Sequence, residues 1–149
     1  ARGISAVHFH NTFAMPDIED ETALGLLRVL RDADKLDIWR VMAEYYEQPP
    51  SERSPAVAIN LEDRPTYSPV MLEKLAKAIP CRYSDATVLN DLKFMNLSWA
   101  YGLYFSTTCR LLLERRLAER IASTLPDTPE ISAAMGSLIS HIQEQSERG

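Results

Sequence analysis

The chain has 149 residues, 46% hydrophobic and 25% charged, with a formal net charge of −5. That composition excludes a disordered chain and suits one globular domain over residues 1–149. The acidic balance argues against stable nucleic-acid binding, which needs lysines and arginines to displace phosphate counterions.

Gly3 to His10 reads as the tail of a helix, ended by Asn11, and residues 11–20 read as a loop broken by Pro16. The acidic run Asp17-Ile18-Glu19-Asp20-Glu21 leads a long helix from Glu21 to Tyr46, since carboxylates suit the positive end of a helix dipole. Gln48-Pro49-Pro50 ends it. Residues 48–67 contain Pro49, Pro50, Pro55 and Pro65 and form a surface connector or, as the alternative, a lid. Ser68-Pro69 predicts an N-cap and a first-turn proline for a helix that stops at Ile79, before Pro80. Ser84 is expected to cap a helical region reaching Leu125, bent or divided at Gly102 and Ser106-Thr107-Thr108. Phe94 to Cys109 lacks charge but holds several polar residues, so it reads as a buried helix and no membrane span is expected. Thr128-Pro129-Glu130 opens a last helix to Gln143. No segment alternates with period two, and the expected fold is all-α.

Candidate chemistry centres on Arg31-Asp32-Ala33-Asp34-Lys35-Leu36-Asp37. Helical spacing aligns Leu27, Leu30, Asp34, Asp37 and Val41 in one row, expected to face the core. A carboxylate there needs a cation, a donor or a metal. Arg31, Arg40 and Arg28 stand three or four residues from Asp34, Asp37 and Asp32, and from spacing alone structural pairing outweighs a metal site. His8 and His10, two apart, cannot share a face of a regular helix. His10, at the helix end, is the better ligand candidate, and His141 reads as incidental. Trp39, Trp99, Tyr101, Tyr104 and Phe105 are expected to pack the core. Cys81 and Cys109 belong to no CxxC pair and read as free buried thiols of a reducing, cytoplasmic environment. Arg110, Arg115, Arg116 and Arg120 alternate with Glu114 and Glu119, as on a solvated face. Dinucleotide, P-loop, GxSxG and HExxH motifs are absent.

Phe9-His10-Asn11, Pro16 and the ungapped Arg31–Asp37 heptad together resemble the HD-domain metal-dependent phosphohydrolase superfamily, closely over residues 7–42 and loosely beyond. The resemblance implies an HD-like helical bundle and hydrolysis of a nucleotide or another small phosphate ester. It implies a divalent ion (Mn, Fe, Ni, Mg or Co) held by a histidine, a His-Asp pair and a distant aspartate. Asp34 matches that last ligand. His10 matches a histidine at the site's edge that contacts phosphate or a second metal. Lys35 and Arg31 match polar positions near the phosphate, and Asp37 and Asn11 supporting ones. The sequence departs from the family in containing no His-Asp dipeptide. The first residues, Ala1-Arg2-Gly3, are therefore expected to continue from a longer gene product holding the missing ligands. Alone, this N-terminally truncated chain is expected to bind metal weakly, to hydrolyse little and to self-associate through uncovered apolar surface. The competing expectation is a non-catalytic helical interaction or regulatory module that keeps the scaffold without the metal.

Overall fold

Carboxylates and prolines set where the helices begin. In the computed structural model, which describes residues 14–149, α1 spans Glu21–Glu47. The Asp20 carboxylate accepts from the backbone N–H groups of Thr22 and Ala23 at 3.0 and 3.1 Å, satisfying donors that the first helical turn leaves without partners. After Pro49, a 3-10 turn at Pro50–Glu52 opens the connector. Arg53 pins that connector to the end of α1, donating to the carbonyls of Gln48 and Tyr46 and pairing with Asp63 at 2.5 Å.

Helix α2 spans Pro69–Ala76, and Ser68 stands at its N-cap as the sequence predicts. The Ser68 hydroxyl does not cap its own helix, however. It donates to Asp91 at 2.7 Å. A 3-10 turn, Tyr83–Asp85, leads to α3, Leu89–Ser98. Ser84 is therefore not the cap of that helix. Asp91 does that work from the third position, accepting from the N–H groups of Thr87 and Val88 and from both the N–H and hydroxyl of Ser68. The long helical region expected from Ser84 to Leu125 is broken into α3, a 3-10 turn at Trp99–Gly102, α4 at Ser106–Glu114 and α5 at Leu117–Ala122. The breaks fall at Gly102 and at Arg116, whose φ of 52° turns the chain between α4 and α5. Helix α6, Pro129–Glu147, starts under the Thr128 hydroxyl and runs four residues past the predicted end.

Helix α3 is the axis of the fold, with all ten residues buried. α1, α2 and α5 surround it, and α4 and α6 pack against each other beside them. Trp39 Nε1 donates to the Asn96 carbonyl and the Tyr46 hydroxyl to Asn96 Oδ1, both at 2.7 Å, locking α1 onto α3. Among the described residues the structure is all helix and turn, apart from an isolated bridge between Glu62 and Val88. No described helix is long and apolar enough to cross a membrane.

The inward face of α1 differs from the predicted row. Leu27 is buried, but Asp37 is two-thirds exposed and pairs with Arg40 at 2.8 Å, and Val41 faces outward. Leu36, Trp39, Ala43 and Tyr46 fill the core instead. At 100° per residue, Leu27 and Leu36 lie on opposite sides of the helix. The buried face winds around α1, because its first half and its second half meet different neighbours. A single straight row could not describe both.

Candidate functional site

One side of the middle of α1 borders a cavity. Arg31, Asp34, Lys35 and Ile38 line a cleft of about 620 Å³ there. The opposite wall is the connection between α2 and α3, from Ala78 to Ser84. The floor is the end of α3 and the following 3-10 turn, with Met95, Ser98, Trp99 and Tyr101, and Met15 borders the rim. Three of the residues singled out in the heptad thus share one cavity. Asp37 does not join them. His10 and Asn11 lie outside the described residues, so their placement relative to the cleft is not stated.

The acid that α1 sends fully inward is Asp32, not Asp34. Asp32 is 2% exposed. It accepts from the backbone N–H of Tyr104 and Phe105, at 3.2 and 3.0 Å, and from the Thr108 hydroxyl at 2.8 Å. These are the donors at the start of α4, where negative charge is stabilised by the unpaired N–H groups and the helix dipole. Asp32 therefore ties the backbone at Tyr104 and Phe105, and with it the start of α4, to α1. A methyl group placed on Gly102 would lie 3.8 Å from Lys35 Nζ. Arg28, instead of pairing with Asp32, sits over the Tyr104 ring at 5.4 Å.

The charge balance of the cleft opposes that of the whole chain. Arg31, Lys35 and Arg82 face one carboxylate, Asp34, among the lining residues. Burial, and then the Arg31 guanidinium, hold the Lys35 ammonium below the ordinary lysine range, against the pull of Asp32 and Asp34. Burial pushes the Tyr101 phenol up. Cys81, also in the wall, is a free buried thiol raised by burial, which suits packing rather than nucleophilic chemistry. Cys109 is free and buried as well.

Of the aromatic residues expected in the core, only Trp39 is fully buried. Trp99 and Tyr101 are half-buried in the cleft, and Tyr104 and Phe105 are exposed. The 3-10 turn carries them out of the helical register that the sequence suggests. Trp39 supports Trp99 from behind at 6.2 Å between ring centroids, and His141 supports Tyr101 at 4.8 Å. His141, read as incidental from sequence, is a brace of the cleft floor.

Asp34 offers a hard oxygen donor of the kind divalent ions take. Among the described residues, no three His, Cys, Asp or Glu side chains gather as a metal-binding group. The donor set these residues present is incomplete, and two cations stand beside its one carboxylate. No family model, curated protein or solved structure matches this chain.

Proposed function

We propose that the cleft holds the phosphate group of a small phosphate ester, a nucleotide or similar compound, as one wall of an HD-type metal-dependent phosphohydrolase. The observation that carries this reading is the common opening of Arg31, Asp34 and Lys35 onto one cavity. Those residues belong to the heptad in which the resemblance is most specific. Lys35 and Arg31 bind and orient the phosphoryl oxygens by charge-assisted hydrogen bonds. Ile38, Met95 and Trp99 exclude water from the ester, which strengthens those bonds. Asp34 is the described donor toward the metal, and the resemblance gives His10 a place at the site's edge. A bound divalent ion in such a site supplies an acidified water and a polarised phosphoryl oxygen.

The test is phosphate release by the intact gene product from nucleoside monophosphates and p-nitrophenyl phosphate, across Mn, Fe, Ni, Mg and Co. Metal-stimulated release is expected, falling about 100-fold in Asp34→Ala and about 10-fold in Lys35→Met. No release from any ester with any of these metals would reject the reading.

One observation favours a second reading, a ligand-binding regulatory module without a metal: both neighbours of Asp34 in the cleft wall are cations. Elemental analysis of the intact protein separates the two. About one tightly held metal per chain rejects the second reading.

A further inference from the structure

Each cation that lines the cleft is already compensated. Arg31 and Arg82 have partners within the protein. Lys35 stands near enough to Asp32 and Asp34 for both carboxylates to act on its charge. A charged ligand would bring a charge without a counterpart into half-buried surroundings, which is costly, whereas an uncharged one would not. What the cleft lacks is a hydrogen-bond acceptor. Among the described residues Lys35 makes no hydrogen bond and no ion pair. Its half-buried amine stands beside Gly102, where a Cβ would lie 3.8 Å from Nζ, so the glycine leaves the approach to the amine open. A half-buried donor without an acceptor forfeits a hydrogen bond that an oxygen on a ligand restores.

The rest of the lining is largely apolar. Ile38, Pro80 and Met95 form part of the wall, and Trp99 and Tyr101 line the floor with half-buried rings. Each ring is backed by a tilted contact, Trp99 against Trp39 at 6.2 Å and Tyr101 against His141 at 4.8 Å between centroids. Trp39 is in turn fixed by its Nε1 donation to the Asn96 carbonyl at 2.7 Å. Rings held in this way lose little freedom when a ligand settles on them, and a flat aromatic body suits them. Gly102 follows Tyr101 directly, so the amine and the rings adjoin. The volume of about 620 Å³ is that of a small-molecule site and exceeds what one six-membered ring fills.

We infer that the cleft is a binding site for an uncharged, flat aromatic compound bearing a carbonyl oxygen, the rings of Trp99 and Tyr101 receiving its body and Lys35 donating to the oxygen. This goes beyond the phosphohydrolase reading and requires neither a metal nor a phosphoryl group. The carbonyl oxygen takes the place beside Lys35 that a phosphoryl oxygen holds in that reading.

Isothermal titration of the 149-residue chain in EDTA tests this, with coumarin, a flat uncharged lactone, as the probe. δ-Valerolactone lacks the aromatic ring, benzofuran lacks the carbonyl, and coumarin-3-carboxylate adds a charge. Coumarin is expected to bind at least about 10-fold more tightly than each of the three. Lys35→Met is expected to weaken it at least about 10-fold while melting like the parent. Trp99→Ala removes part of the floor and also the support of Trp39. Gly102→Leu therefore serves as the second variant, since it leaves Lys35 and both rings in the sequence and fills the space beside the amine, and it too is expected to weaken binding at least about 10-fold. Equal binding of δ-valerolactone overturns the role of the rings, equal binding of benzofuran that of Lys35, and equal binding of coumarin-3-carboxylate the uncharged class. No saturation by about 10 mM, or unchanged binding in both Lys35→Met and Gly102→Leu, overturns the whole inference. Phosphate release by the intact protein without coumarin binding overturns this inference and leaves the phosphohydrolase reading standing. Coumarin binding without phosphate release does the reverse.

Discussion

In α3, Asn90, Asp91 and Lys93 are as buried as the leucines beside them, and each has partners. Asn90 donates to the carbonyls of Arg64 and Thr66. Lys93 donates to Asn90 Oδ1 at 3.0 Å and to the Thr124 carbonyl at 2.9 Å. In the middle of α1, Arg31, Asp34 and Lys35 also bring charge toward apolar surroundings, but there the cations crowd one another across an open cleft. Buried polar groups that are fully paired specify a structure, whereas charged groups that open onto a cavity are accessible to a ligand. The contrast predicts that removing the paired Asp91 carboxylate from α3 destabilises the fold, and removing charge from the cleft wall does not.

The strongest way to break this comparison is Asp91→Ala, which strands the N–H groups of Ser68, Thr87 and Val88. A loss of about 3 kcal/mol in urea unfolding is expected. The wild type should also lose this contribution in acid. Burial alone would raise the Asp91 carboxyl, but the hydrogen bonds from Ser68 and Thr87 outweigh it and hold the carboxyl below the usual range. The unfolded chain then takes up the proton at higher pH than the folded one. The contribution is present above the ordinary aspartate range and fades as pH falls through the lower, folded value.

Lys93 is next, with the same direction of pH dependence in an alkaline window. Burial lowers its ammonium from 10.5 to about 8, Asp63 opposing and Arg53 adding to the shift. Between these values the unfolded chain holds the proton and the folded protein releases it, so stability should rise with pH. A gain of about 2 kcal/mol across this window is expected, and Lys93→Met should remove the slope. A flat Lys93 wild-type profile there would contradict the burial of a charged group in α3.

Ala78→Gly sharpens the comparison at the cleft's other wall. Ala78 ends α2 with a φ of 56°, and the Ile79 N–H closes the turn on the Lys74 carbonyl at 2.8 Å. Glycine usually holds this position, because a side chain strains it, so the variant should gain about 1 kcal/mol. The smallest effect belongs to Lys35→Met, whose melting should stay within about 0.5 kcal/mol of the parent or rise above it, even as ligand binding is lost.

The ends of α1 and the start of α6 were legible because Asp20, Pro49, Thr128 and Pro129 act within a few residues of themselves. The grouping of Arg31, Asp34 and Lys35 was legible for the same reason, since one helix determines it. What stayed hidden depends on distant partners. Spacing paired Asp32 with Arg28, whereas its donors come from the start of α4, more than 70 residues on. Arg82 and the rings of Trp99 and Tyr101 reach the cleft from other elements, and the tilted contact of His141 with Tyr101 joins residues 40 apart in sequence. The inward row on α1 was misread because periodicity assumes one neighbour along the whole helix, and α1 has several.

With no face toward water, α3 cannot form its contacts one side at a time. Ser68, Trp39, Tyr46 and Thr124 reach it from three separate stretches of chain. Its amide protons should therefore exchange with deuterium only when the whole molecule opens, and the slowest of them would report the global free energy of unfolding. Amides of the Pro50–Glu52 turn, exposed at the connector, should exchange far sooner through local fluctuations.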